Sequence, residues 1–450
     1  MPEKNIKRRD RPLRRYSGPH GGVDLPHHKN TAEIDTENML PERVVIPMQQ
    51  HVGAPCKPLV KAGDSVQVGQ MIGDTDHPIA APIHASVSGR VKSIGEIVLP
   101  NGQKSKTVVI ESDGMQMKHE LIRPPDVGSK EAFLKAVRAS GLVGLGGAGF
   151  PAHVKLNPPE GTQVDTLLIN GAECEPYITA DYREVMENGW DVMSGVYAVK
   201  ELLGIRKVVI AIEKNKINAI RVLAAIAHNR ESDPRDEVTV MVLPTRYPQG
   251  AEKVLVQQAA RRVIPAGKLP ADVGVVVMNI TSISFLARFL KTGMPLVEKR
   301  LTIDGSAVQN PQNVMAPVGT PVKDVIAFTG GYKEPPHKLL MGGPMMGVAL
   351  ADDSLPILKQ SNAILAFTEK EFRMTEPLPC IRCGRCVEAC PMKLVPTEIE
   401  RQLKIHSAEG VRALGVLSCM ECGCCSFVCP ARRYLVQSMR LGKQLAKKET

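Results

Sequence analysis

Nine of the eleven cysteines fall between Cys380 and Cys429, and eight of them form two copies of one pattern. CIRCGRCVEACP supplies Cys380, Cys383, Cys386 and Cys390 before Pro391, and CMECGCCSFVCP supplies Cys419, Cys422, Cys425 and Cys429 before Pro430. Each reads C-x2-C-x2-C-x3-C-P, the spacing that holds [4Fe–4S] clusters. A cubane needs four thiolates, and two-residue gaps let a tight loop wrap three corners while its backbone N–H groups face the sulfides. The fourth ligand then comes from the other run. This assigns Cys380, Cys383, Cys386 and Cys429 to one cluster, and Cys419, Cys422, Cys425 and Cys390 to the other. Cys424 is spare, because using it in place of Cys425 breaks the spacing. Zinc ribbons also use C-x2-C pairs, but the doubled eight-cysteine pattern with both prolines argues against zinc. The segment is a module that moves electrons one at a time, of the kind found in two-cluster ferredoxins.

Cysteines grouped this way, in a chain without an export signal, read as metal ligands of a reducing compartment rather than as disulfides. The N-terminal MPEKNIKRRDRPLRR has no apolar stretch to act as a secretory signal. The longest apolar run, near Val273–Met278, is far short of the ~20 residues of a membrane span. The expectation is a soluble or peripheral protein with room for roughly three domains. Aromatics make up 4%, so its cores should be aliphatic. Of the net charge of +10, much sits at the start: Lys4, Lys7, Arg8, Arg9, Arg11, Arg14 and Arg15. Such an arm is either a solvated tail or a contact for anionic lipid or an acidic partner. Nucleic acid is disfavoured, since no recognition motif accompanies the charge and there is one Trp for base stacking.

Between Arg43 and Glu111 the chain is short β-runs and turns. VKAGDSVQVGQ followed by APIHASVSGRV resembles the biotinyl/lipoyl-type barrel-sandwich domain. The intervening tip, GDTDHPIAAP, carries no modifiable Lys, so the domain is a scaffold or docking piece and not a swinging arm. His27, His28, His77 and His84 are scattered without matched spacing and read as surface or structural residues; Cys56 and Cys174 read as small buried or semi-buried residues, with the local role of Cys174, between two acids, left open. From Ser129 to Met294, helix and strand patterns alternate. Ser129 caps KEAFLKAVRAS; then TLLIN, KVVIAI, VTVMVLP and VGVVVMNI read as strands, the last three each followed by an amphipathic helix. This predicts an α/β domain with a mainly parallel sheet.

GLGGAGFPAHVK, residues 144–155, matches the G-x-G-x-x-G fingerprint of dinucleotide folds. The match fails in context, because the stretch follows a helix rather than a strand and Phe150-Pro151 interrupts the helix that should come next. Three other phrases lie at carboxyl ends of predicted strands, where open α/β sheets collect ligands. They are Asn170 with Glu173 and Glu175, Tyr247 with Gly250 and Glu252, and Asn279 with Ser282. Together, GxGGAGFPxxxK, NxxExEP, YxxGxE and NxxS resemble the flavoprotein (NADH-binding) subunit of respiratory complex I. That resemblance implies an FMN cradle of Gly144, Gly146, Gly147 and Lys155, completed by Asn170, Glu173, Asn279 and Ser282. It also implies that Glu175, Phe150 and Tyr247 face the nicotinamide nucleotide, with Glu252 nearby. The chain departs from the family pattern at Leu145, Ala172 and Tyr177, which bears mainly on nucleotide contacts.

Residues from Pro295 to Leu350 resemble the small β-grasp (SLBB) module that follows the flavin domain in that family, and Met341, Met345 and Met346 read as packing. The domain reading is a basic arm (1–42), a barrel sandwich (43–115), an α/β FMN/NADH domain (125–294), a β-grasp SLBB module (295–352) and an α-helical, ferredoxin-like two-cluster domain (365–445). With GGVDLPHHK near its start, this order resembles the C subunits of Rnf complexes, which are membrane-bound ferredoxin:NAD oxidoreductases. The resemblance implies FMN standing between NAD(H) and two [4Fe–4S] clusters. It implies integral membrane subunits and a ferredoxin-accepting iron–sulfur subunit as partners, coupling to Na⁺ or H⁺ translocation, and a peripheral place on the cytoplasmic side of the cell membrane. Two alternatives are a soluble flavin-dependent cobalamin or quinone reductase and an electron relay that has lost FMN.

Overall fold

Four aliphatic runs of five to seven residues make one parallel sheet; three of the strands are almost wholly buried between the connecting helices, while Glu237–Leu243 is a partly exposed edge. The computed structural model describes residues 20–229, 237–372 and 376–448; the basic residues of the first fifteen positions lie outside them. The sheet order is Glu237–Leu243, Lys207–Glu213, Thr166–Gly171, Val275–Asn279, and every pairing is parallel. Leu167, Leu168, Ile169, Val208 and Ile210 are each within 2% of full burial, and each contributes about 2 kcal/mol by leaving water. The chain winds outward from Thr166–Gly171 to one side and then returns to its other side. The topological switch therefore falls between Thr166–Gly171 and Val275–Asn279, whose ends Asn170 and Asn279 are register partners. Ser129 caps the helix Lys130–Ala139 as expected, its side chain accepting from the Ala132 N–H.

The N-terminal strands form two small antiparallel sheets around Val44, Ile46, Ile72, Ile83, Val108 and Ile110, all fully buried. The lysine-free tip is docked. Arg138 donates to both oxygens of Asp74 at 2.8 and 3.1 Å, and buried Lys359 bridges the Pro82 and Gly141 carbonyls at 2.6 and 2.7 Å. His84 is buried and held neutral, its pKa pushed down to about 3 by burial and then by Lys359.

The β-grasp sheet draws in more chain than its sequence phrase suggests. Ala363–Phe367 lies parallel to Glu298–Asp304 near the middle of the six-stranded sheet, and Glu37–Asn38 adds an edge strand beside Gln312–Pro317. Within residues 20–42, read from sequence as the end of a basic arm, Glu37–Asn38 thus belongs to this sheet. Arg300 of this sheet and Arg288 clamp the fully buried Glu184 carboxylate of helix Ala180–Leu203 at 3.1 and 2.5 Å. Burial opposes that charge, but the two guanidinium groups hold the carboxyl below its usual range. Deleting either partner of such a buried pair costs about 3–5 kcal/mol. The C-terminal module packs helices Pro396–Lys404, Ala408–Ala413 and Leu435–Lys448 around Ile399, Val411, Val416 and Met439.

Candidate functional site

The glycine stretch forms a closed turn. The Gly144 N–H donates to the Phe150 carbonyl at 2.8 Å, and the Gly149 N–H donates to the Gly144 carbonyl at 3.1 Å. Leu145, where the complex I pattern has Arg, points into the α/β core at 2% exposure, and its N–H donates to Ser282 Oγ at 3.0 Å. That turns residues 146–148 outward at the switch point. A Cβ on Gly146 would stand 3.0 Å from Asn279 Nδ2, whereas Gly147, at φ +111°, faces open space. Among the described residues the amides of Gly146, Gly147 and Ala148 donate to no protein oxygen. Three free donors and an uncovered backbone fit the phosphate and polar edge of a nucleotide-like cofactor.

The polar floor of this site is a chain of bonds. Asn279 caps helix Ile280–Thr292 by accepting from the Ser282 N–H at 3.2 Å, and its amide donates to Asp181 at 2.7 Å. The Asp181 N–H donates to Glu173 Oε1 at 2.7 Å, leaving Oε2 buried without a partner. Burial raises the Glu173 carboxyl to about 7, against the nearby charges of Lys29 and Lys216. Asn170 joins the rim, donating to the Gly250 carbonyl at 2.9 Å. Lys155 is paired with Glu252 at 2.8 Å, both side chains about a third exposed. A pair so open to water is worth about 0–1 kcal/mol, so an anionic ligand can take the lysine over.

Glu175 and Tyr247, expected at the nicotinamide, are engaged on the cluster side. The Met345 and Met346 N–H groups donate to the Glu175 carboxylate at 3.0 and 2.9 Å, so these methionines contribute backbone donors besides packing. Tyr247 is 2% exposed and its hydroxyl donates to the Cys422 carbonyl at 2.8 Å. Phe150 stays half-buried at the foot of the glycine turn.

Cys390, Cys419, Cys422 and Cys425 line one cavity with Cys424, Met392, Leu394 and Met439. Cys386 and Cys429 pack with Leu435 and with Cys425, Cys380 lies near Cys386, and Cys380 and Cys383 are exposed. The two runs repeat in backbone as well as in sequence. Arg382 and Glu421 both take positive φ, and their N–H groups approach Cys380 and Cys419 Sγ at 3.4 and 3.3 Å. Amides aimed at sulfur suit thiolate ligands of a cluster. Cys424 is fully buried beside Tyr247 and Ala389. Burial raises the thiols of Cys419 and Cys425 to about 11 and 12, and neighbouring thiols add to it.

Sequence reasoning passed over Lys29, Asp181 and Lys216. Half-buried Lys29 and buried Lys216 both donate to the Glu173 carbonyl, each at 3.0 Å. Their signal was faint: one lysine in a Gly-His-Pro-rich stretch and one after a strand.

Residues 18–115 match the RnfC barrel sandwich hybrid domain, 137–288 the Nuo51 FMN-binding domain, 300–349 the SLBB domain and 374–430 a 4Fe-4S dicluster domain. The chain is 42% identical over 430 residues to the C subunit of the Na(+)-translocating ferredoxin:NAD(+) oxidoreductase complex of Acetobacterium woodii, covering 94% of this chain and 96% of that one. It is 43% identical to the proton-translocating counterpart of Clostridium ljungdahlii, covering 80% and 78%. To the C subunit of the ion-translocating oxidoreductase complex of Rhodobacter capsulatus it is 41% identical, covering 94% and 82%. Among the described residues no helix is long and apolar enough to cross a membrane. At 41–43% identity over most of its length and of theirs, the chain belongs to the C-subunit family of the Rnf complexes.

Proposed function

We propose that this chain passes electrons between NAD(H) and two [4Fe–4S] clusters by way of FMN, as the peripheral subunit of a membrane-bound, ion-translocating ferredoxin:NAD oxidoreductase. The observation that carries this reading is the place of the glycine turn. It opens at the switch point of the sheet, where Gly146 meets Asn279 and three free amides face outward. FMN, when bound, exchanges two electrons as hydride with a nicotinamide and single electrons with an iron–sulfur cluster.

The chain's own residues bind and orient. The amides of residues 146–148 and Lys155 hold the anionic end of the cofactor. Asn170, Asn279 and Ser282 set the pocket's polar edge, and Glu173 closes its floor. Gly144 lets the turn close, and Glu252 balances Lys155 until a ligand takes its place. Phe150 flanks the nucleotide, and Glu175 and Tyr247 brace that side against the cluster loop. Cys390, Cys419, Cys422 and Cys425 hold the cluster nearer the flavin site, supported by the Tyr247–Cys422 bond. Cys380, Cys383, Cys386 and Cys429 hold the outer one, supported by the exposure of the first two. Partners would be the integral membrane subunits and a ferredoxin-accepting iron–sulfur subunit, on the cytoplasmic face.

The test is to purify the chain with its membrane partners and assay ferredoxin-dependent NAD reduction, before and after selective removal of this subunit. The reading expects co-purification and loss of that activity on removal. A chain that is recovered alone from the soluble fraction and reduces cobalamin with NADH would overturn it.

A further inference from the structure

GGVDLPHHK, residues 21–29, is the one motif that the flavin and cluster sites do not absorb, and its contacts reach both. At its start, the Gly22 N–H donates to the Ala389 carbonyl at 2.9 Å, one residue from the cluster ligand Cys390. Val23 and Tyr247 then exchange backbone bonds at 2.8 and 3.0 Å, like two residues of a sheet. Val23 and Leu25 bury their side chains with Tyr247, Ala389, Cys422 and Cys424. At its far end, His28 stacks on Tyr177 with ring centres 4.6 Å apart, and the Tyr177 N–H donates to the His27 carbonyl. The Lys29 ammonium spends its three donors on the carbonyls of Glu173, Glu175 and Ile178, the first two at 3.0 and 2.7 Å. Nine residues thus hold the loop of residues 173–178, the Tyr247 turn and the cluster loop in one arrangement.

The two glycines explain the fit. Gly22 has φ +78°, and a Cβ there would lie 2.4 Å from the Tyr247 carbonyl oxygen. Gly21 has φ +66°, with Cys390 backbone at 2.9 Å. Any side chain at either position pushes the strap off both partners.

We propose that residues 21–29 form a strap that fixes the gap across which electrons pass between the flavin site and the cluster held by Cys390, Cys419, Cys422 and Cys425. Gly22 and Lys29 are its positioning residues. The proposal rests on the electron path given above. Electron tunnelling weakens exponentially with separation, so a gap held by backbone bonds on both sides passes electrons faster than one held by loose loops.

Holoprotein carrying Gly22→Val, reconstituted anaerobically with FMN and iron–sulfur clusters, tests it. Stopped-flow mixing with NADH follows the flavin and cluster absorbance separately, and hydrogen exchange follows the amides of Val23 and Tyr247. The expected result is lost protection at both amides, unchanged flavin content, iron content and NADH concentration dependence, and cluster reduction slowed several-fold, as an exponential dependence on the opened gap requires. Gly22→Ala, with its smaller intrusion, should give the same pattern more weakly and carries the comparison if Gly22→Val loses a cofactor. Lost protection with cluster reduction at the wild-type rate would overturn the proposal, as would loss of FMN or iron in both variants, which would make the strap a folding element. Failure of NADH to reduce the flavin of the wild-type protein would instead overturn the electron path on which the strap depends.

Discussion

Glu173 shows how one carboxyl ties the site to the stability of the chain. It is buried, with Oε1 bonded to the Asp181 N–H, Oε2 unpaired, and Lys29 and Lys216 nearby. Burial lifts its pKa to about 7 from 4.5, and burial likewise lifts Glu175 to about 7 despite two backbone donors. Between those values the folded protein keeps protons that the unfolded chain has released. Stability therefore falls as pH rises from about 4.5 to about 7, and these two groups add no further slope above that. Glu173→Gln keeps the acceptor for Asp181 and removes one titrating group. Denaturation midpoints across that window, with flavin content checked, should show a shallower slope, by roughly 1–3 kcal/mol over the range. An unchanged slope would mean that Glu173 titrates normally. Sequence could place Glu173 at a strand end, where ligands gather. It could not show the unpaired oxygen, because Asp181 and the two lysines reach it only through the fold.

At the scale of elements, what was legible followed the range of the interactions. Cysteine runs, the Ser129 cap and the strand–helix alternation are encoded within a few residues and were readable directly. The insertion of Ala363–Phe367 into the β-grasp sheet joins segments about sixty residues apart, and no local pattern announces it. The engagement of Glu175 by the Met345 and Met346 amides spans 170 and 171 residues and ties a residue expected at the nucleotide to the β-grasp turn. The two cysteine runs also carry an element-scale test. Cys429 neighbours Cys386, and Cys390 shares a cavity with Cys419, Cys422 and Cys425. Cys429→Ser should damage the outer cluster and spare the inner one, whereas Cys424→Ser should leave ~8 iron in place. Low-temperature EPR of the reduced variants distinguishes the two clusters; loss of the inner signal in Cys429→Ser would reverse the pairing.

Across the whole molecule, the modules converge on the open end of the parallel sheet. The barrel-sandwich tip is fixed by Arg138 and Lys359, and the Val52 N–H of the same domain donates to the Gly149 carbonyl at 3.0 Å, bracing the glycine turn from outside. The β-grasp turn supplies the donors for Glu175, and the cluster loop accepts from Tyr247. A lysine-free lipoyl-like domain makes sense in this arrangement, since its tip is a wedge between modules and has nothing to carry. On the proposed electron path, the flavin site would be the junction between the nucleotide and the clusters. Gly147 isolates that claim, because a side chain there meets no protein atom within 4 Å, at a φ of +111° that disfavours one. Gly147→Val should exclude FMN while leaving both clusters assembled. The most direct measurement is an anaerobic NADH titration of wild-type and Gly147→Val protein, each reconstituted with ~8 iron, with dithionite as the control reductant. NADH should bleach the flavin and then the clusters of the wild type, whereas the clusters of Gly147→Val should respond to dithionite alone. Cluster reduction by NADH in flavin-free Gly147→Val protein would contradict the placement of FMN between the two.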